Sequence, residues 1–271
     1  MNNPVLFRLS WRLSWLIVAL AGIASAGGLL IPGLYRDNDF VRTAWLGNDQ
    51  ITLFVAVPAL AIVLLRSLRG SVPAQLVWMG MLGYMLYNYA FYLFGAAFNE
   101  FFLLYVALFA GSVYALILGL MGLDVTAVRE RFSEKAPVKG IAIFFLFIAI
   151  PLILVEGSQT VQFIRTGILP PIIVDTGQQT SVVFVLDMSV VIPAMLLSAL
   201  LLWQRRGWGF VLGVVMLVKG LSYMLVLLLA SAMLAGFNLS GRWDPLTPFY
   251  GFVALGSVLC LALLFRQFKT V

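Results

Sequence analysis

Two charged residues stand inside apolar runs where a charge is poorly tolerated. Lys219 lies in Met216-Leu217-Val218-Lys219-Gly220, and Asp187 lies in Val185-Leu186-Asp187-Met188. At the centre of a membrane helix a charged side chain costs about 2.5–3.5 kcal/mol on insertion scales. Each of the two therefore calls for a partner. Their runs are joined by a short loop, which makes them antiparallel neighbours. Counted at about 1.5 Å per residue, Asp187 sits about 9 Å from one face and Lys219 about 15 Å from the other. Across a core of about 30 Å their α-carbons then differ by about 6 Å in height, a gap the lysine stem can close. The expectation is a buried Asp187–Lys219 ion pair facing the bundle interior. It would serve either as a coupling site for protons or solute, or as a pin between helices.

A second group is aromatic and amide-rich. Tyr84, Tyr87, Asn88, Phe91 and Tyr92 share one broad helical face, and Asn99, Glu100, Phe102 and Tyr105 follow across a turn. Asn48, Asp49 and Gln50 open a neighbouring apolar run at the same membrane face. One reading is an interfacial aromatic belt. The sharper reading is an outward-facing pocket with Asn48, Asp49, Tyr84, Asn88, Tyr92, Asn99 and Glu100 on its wall. At the head of a helix Asp49 also fits an ordinary N-cap.

What is missing narrows the chemistry. The chain has no histidine and one cysteine, Cys260. Histidine-ligated metal or haem, and Ser-His or Cys-His catalysis, are therefore outside its means. An internal disulfide would need a second thiol. No motif asks for a cofactor or a metal, and no catalytic residue stands out.

The elements that must position these residues are membrane helices. Hydrophobic residues make up 62% of the 271 and charged residues 10%, against about 25% charged in a soluble domain. Apolar runs long enough to span a bilayer fall near 11–33, 51–66, 74–95, 101–122, 140–156, 181–203, 209–237 and 246–265. The fold class is thus an all-α integral membrane bundle of about eight spans. The first run passes Ala24-Ser25-Ala26, which mimics a signal-peptide cleavage site, yet stays apolar through Ile31. It reads as an uncleaved span.

Basic residues set the orientation. Arg8, Arg12, Arg66, Arg69, Arg129, Arg131, Lys135, Lys139, Arg205, Arg206, Arg266 and Lys269 fall on one side; Arg36, Arg42, Arg165 and Arg242 fall on the other. The first side, which holds both termini, reads as cytoplasmic. The basic surplus then meets lipid head groups rather than nucleic acid. Short loops point to a prokaryotic inner membrane. An Asn238-Leu239-Ser240 sequon lies on the outer side and matters only in a eukaryotic secretory membrane.

The halves read as copies. Val57-Pro58-Ala59 matches Ile192-Pro193-Ala194, Tyr84-Met85-Leu86 matches Tyr223-Met224-Leu225, and the segment from Tyr105 to Val113 matches that from Tyr250 to Val258. Four spans per copy make the repeat parallel, with its axis along the membrane normal. The division is a first unit over 1–123, a connector over 124–139 and a second unit over 140–271. Pro58 and Pro193, each inside a span, are candidate kinks. Three functions fit. The first is binding or transport of a small solute or lipid between the two units. The second is a structural or assembly subunit with partner membrane proteins. The third is a lipid-modifying enzyme working through Asp, Glu, Lys or Tyr.

Overall fold

The computed structural model describes residues 3–236 and 244–269. The sequon and Arg242 lie outside these residues. Among the described residues the secondary structure is helical, apart from a single bridge between Phe132 and Phe268.

Among the described residues ten helices follow one another. Helix α1 runs Pro4–Leu30, α2 Asp39–Ser67, α3 Val72–Gly95, α4 Phe102–Gly122 and α5 Val125–Arg131. Then come α6 at Val138–Thr166, α7 at Pro171–Thr176, α8 at Val182–Trp203, α9 at Gly207–Gly236 and α10 at Thr247–Arg266. Seven of these (α1, α2, α4, α6, α8, α9 and α10) are long and apolar enough to cross a membrane. Large apolar side chains such as Phe54, Leu103 and Leu255 point outward from them, as a lipid solvent favours. The chain is an all-helical, multi-pass membrane protein.

Helix α3 has the length of a span, 24 residues. Its Tyr, Asn, Gln and Gly content keeps its hydropathy below that of the other seven. The reason lies in its position. It is buried on all sides, with Trp78, Met79, Leu82, Tyr84, Met85 and Asn88 fully enclosed, so packing rather than lipid selects its residues. Helices α3 and α9 form the centre. Helix α3 packs on α2, α4 and α9, while α9 packs on α2, α3, α8 and α10. Helix α1 lies against α4 and α2, and α6 lies against α8.

The start of α1 and the residues after α10 lie at one end of the bundle. Phe7 abuts Gly122 there, and the Lys269 amide donates to the Arg131 carbonyl. The same basic end carries a latch. Arg129 pairs with Glu134 at 2.5 Å and donates to the Arg205 carbonyl at 2.8 Å. The hydrogen bond from Arg129 holds the exposed Glu134 carboxyl below its ordinary range.

Helix α2 corrects two expectations. It begins at Asp39 rather than near 51, with Asn38 as N-cap accepting from the Val41 amide. Asp49 is therefore not a cap. It sits ten residues inside the helix, about 15 Å along it, and is buried. Hydropathy misplaced this boundary because Asn48, Asp49 and Gln50 resemble a loop. Helix α6 likewise continues past 156 to Thr166.

Pro58 and Pro193 each follow a π-helical segment, Thr52–Ala56 and Asp187–Val191. A proline ring cannot accept the carbonyl four residues back and lacks an N–H. The turn before it widens instead. The Val57 amide bonds the Thr52 carbonyl, and the Ile192 amide bonds the Asp187 carbonyl, each five residues back. Such bulges rotate the residues before them relative to those after. They occur 135 residues apart, at 52 and at 187.

The central crossing depends on Gly80. A Cβ there would stand 2.5 Å from the Cβ of Val218 on α9. Close approach at small residues is how membrane helices pack without a hydrophobic driving force. Gly80→Ala should therefore lower stability by about 1–3 kcal/mol, read as an earlier thermal unfolding midpoint in detergent. Gly157→Ala, where a Cβ meets open space, should leave the midpoint in place.

Candidate functional site

Polar side chains gather in two places within the apolar bundle, and α3 carries both. The first is where α3, α6, α8 and α9 meet. Tyr87 donates to Asp187 Oδ1 at 2.7 Å. The Lys219 ammonium lies 3.4 Å from the centre of the Tyr87 ring and 5.1 Å from that of Tyr223. Tyr87 and Tyr223 meet edge to face at 4.7 Å. Asp187 and Lys219 thus face the same interior, each under 10% exposed, but they are not in direct contact. The described ion pairs within 4.0 Å do not include them. Tyr87 stands between, with its hydroxyl on the acid and its π face on the base. A cation over a desolvated aromatic face gains about 2 kcal/mol. That replaces part of what a salt bridge would supply.

A third ionisable side chain joins them. Glu156, deep in α6, is only 3% exposed and faces Asp187, while its Oε2 has no hydrogen-bond partner. The widened turn that begins at Asp187 turns the Asp187 carboxyl toward Tyr87 of α3. Sequence reasoning placed Glu156 at the outer end of a span because the helix was drawn ten residues too short. Its seat among Leu152, Ile153, Leu154 and Val155 was the available signal.

The second polar group lies among α1, α2, α3 and α4, toward the end opposite the chain termini. Asp49 accepts from the Tyr35 hydroxyl at 2.5 Å and from Tyr92 at 2.9 Å. Tyr92 stacks on Trp45 at 4.6 Å and leans on Tyr105 at 5.0 Å. The backbone of α1 comes close at Gly28. A Cβ there would stand 2.8 Å from Asp49 Cγ and would collide with Oδ2. One turn along α2, the Thr52 hydroxyl meets Tyr84 at 2.8 Å, and Tyr84 reaches Asn48 at 3.3 Å. Asn88 donates to Thr52 at 3.5 Å and leaves its Oδ1 unpartnered.

The expected outer-pocket residues therefore divide. Asn48, Asp49, Tyr84, Asn88 and Tyr92 form one buried group. Asn99 borders it, bonded to its own turn at Ala97 and Phe101. Glu100 stays on the surface and pairs with Arg36 across the two turns above the group. Asp37 holds those turns shut by accepting from the Ala97 amide at 3.0 Å and the Trp45 indole at 3.1 Å. Beside these turns is a half-open cavity of about 70 Å³ lined by Tyr92, Ala96, Asn99, Phe102 and Tyr105, room for about two waters. Tyr35 was not foreseen. It belongs to a loop by sequence and nothing there marks its reach into the bundle.

No protein-family model, curated protein or solved structure matches this chain. Fold and site together define a polytopic helical membrane protein with a polar, carboxylate-bearing interior.

Tyr87 is the simplest probe of the first group. Tyr87→Phe keeps the ring over Lys219 but removes the donor to Asp187. A buried acceptor left without its donor costs about 1–3 kcal/mol. Thermal unfolding should show that loss. Tyr114→Phe, at an exposed hydroxyl, should show none.

Proposed function

We propose that this protein binds and moves a small solute across a prokaryotic inner membrane, using the Asp187–Tyr87–Lys219 site between two four-span units. The supporting observation is the placement of that site. Asp187, Lys219 and Glu156 come from the second unit, Tyr87 comes from the first, and all four are buried among lipid-facing helices. Intramembrane ionisable groups at helix junctions mark solute and ion paths more often than packing. Two acids facing one base leave room for one further positive charge, carried by a proton or by the solute.

The same reading treats α3 as the eighth span and the chain as a parallel 4+4 repeat. Thr52 and Asp187 open equivalent widened turns, and each hydrogen-bonds a tyrosine of α3, Tyr84 or Tyr87. Helices α3 and α9, third in each unit under this reading, pack against each other, which is consistent with a central axis. The basic end, with both termini, faces the cytoplasm by the positive-inside rule.

One observation favours a partner protein as a second reading. Beyond Pro151, α6 is exposed on nearly every side, with Leu154, Val155, Val161 and Ile164 outward and Gln159 and Gln162 among them. The mixed surface suits a neighbouring protein as well as lipid.

Native mass spectrometry of the protein in mild detergent separates the two readings. Solute binding predicts an adduct of defined mass on the wild type that disappears in Lys219→Met, with the variant still folded by thermal unfolding. A stoichiometric protein partner, or bulk phospholipid alone, would overturn the solute reading.

A further inference from the structure

We propose that Glu156 and Asp187 together hold one exchangeable proton, bound between their carboxyl groups. The inference deepens the solute reading by naming its coupling ion. It rests on that reading only for the coupling, since the proton is held whether or not a solute moves.

Two buried carboxyls meet where α6 packs on α8. Glu156 comes from the first helix and Asp187 from the second, and their side chains lie at hydrogen-bond reach of each other. An ionised carboxyl has only acceptor oxygens, so two ionised carboxyls cannot share a hydrogen bond. A proton on one of them turns the contact into an O–H donating to a carboxylate, among the stronger hydrogen bonds. Glu156 has no other relief, because among the described residues its buried Oε2 finds no donor. Asp187 Oδ1 already accepts from the Tyr87 hydroxyl at 2.7 Å. Asp187 is therefore the acceptor of the pair and Glu156 the donor.

Charge balance asks for the same proton. The ionisable groups that face the pair are Tyr87 of α3 and Lys219 and Tyr223 of α9. Tyr84 of α3 and Tyr250 of α10 lie beyond Tyr223, and Tyr250 is engaged with Asp244 at 2.9 Å. Lys219 is the one base among these groups. Its ammonium lies over the Tyr87 and Tyr223 rings, a contact that favours the charged form. Two ionised acids against one ammonium would leave a net negative charge in an apolar interior. Such a charge is neutralised by a proton rather than kept, and two carboxyls in contact share one proton for the same reason.

A proton is the cation that suits this contact. A metal ion needs a space of its own and several oxygen ligands. Among the described residues no three Asp, Glu, Cys or His gather anywhere, and the two carboxyls already meet. A proton needs no cavity. The surroundings of Glu156 are dry, since its neighbours Ile153, Leu154 and Val155 face outward to lipid. Asp187 lies about 8 Å along α8 from its first residue, Val182. The pair's shorter path to water therefore leads to the end of the bundle opposite the basic one.

The test uses the full chain in mild detergent without added solute. Thermal unfolding is read from about pH 5 to about pH 9 for the wild type and for Glu156→Gln, which keeps a donor toward Asp187 but has no proton to lose. A folded state that holds a proton the unfolded carboxyls have already released loses stability as pH rises past the point where the pair gives it up. The wild-type midpoint should therefore fall relative to that of Glu156→Gln by about 2–4 °C per pH unit above that point. Infrared difference spectra between the two ends of the series should show, in the wild type, a carboxylic-acid carbonyl stretch that the variant lacks. Glu156→Met, neutral and of similar length, stands in if Glu156→Gln does not fold. Parallel midpoints across the series, or the same carboxylic-acid band in wild type and variant, would overturn the shared proton. The adduct measurement reports on solute separately. An adduct lost in Lys219→Met alongside parallel midpoints would keep solute binding and remove the proton, and a pH-dependent gap without any adduct would do the reverse.

Discussion

The Tyr87 side chain is the interaction around which the interior is arranged. It places a hydroxyl on Asp187 and a ring face under Lys219, so a base and an acid from α9 and α8 are both held by α3. Remove that junction and two charges lie in an apolar bundle with no means of neutralising each other at a distance. Other features follow from it. Helix α3 must be central, so it carries tyrosines where a lipid-facing helix carries leucines. Helix α9 must approach closely, so α3 has Gly80 where the two cross. Helix α8 must turn Asp187 inward, and the widened turn ahead of Pro193 does so.

The same devices recur on the other side of α3 with different chemistry. The widened turn ahead of Pro58 presents Thr52 to Tyr84, a pair of hydroxyls where the turn ahead of Pro193 presents a carboxyl. Asp49 then sits one turn earlier in α2, where it accepts from two tyrosine hydroxyls. One half thus holds its carboxyl beside an internal base, and the other holds its carboxyl without one. The turns at that end are tied to each other by Asp37 and by the Arg36–Glu100 pair.

Much of this was legible in the sequence, and the failures share one cause. Hydropathy found the spans because lipid-facing residues dominate them. It put the start of α2 too late and the end of α6 too early because Asn48, Asp49 and Glu156 are polar, and composition does not distinguish polar residues facing water from those facing a protein interior. Asp187 and Lys219 were found as isolated charges in apolar runs, and their shared interior follows from depth along neighbouring helices. The intermediary was not legible: Tyr87 looked like one aromatic among several on a face. Tyr35 could not be found at all, since a loop tyrosine has no periodic signal. Pro58 and Pro193 were visible as kink candidates, but the widened turns they produce depend on backbone geometry.

The most direct test of the central claim is a double-mutant cycle on Asp187 and Lys219, read by thermal unfolding in detergent. Asp187→Asn, Lys219→Met and the double variant would be compared with the wild type. Residues in one network show coupling of about 0.5–3 kcal/mol, whereas independent sites add. The account predicts that the double variant is more stable than the sum of the two single losses requires, because each single change leaves a buried charge without its counterpart through Tyr87. Strict additivity would contradict it and reduce the two residues to unrelated polar positions on adjacent helices.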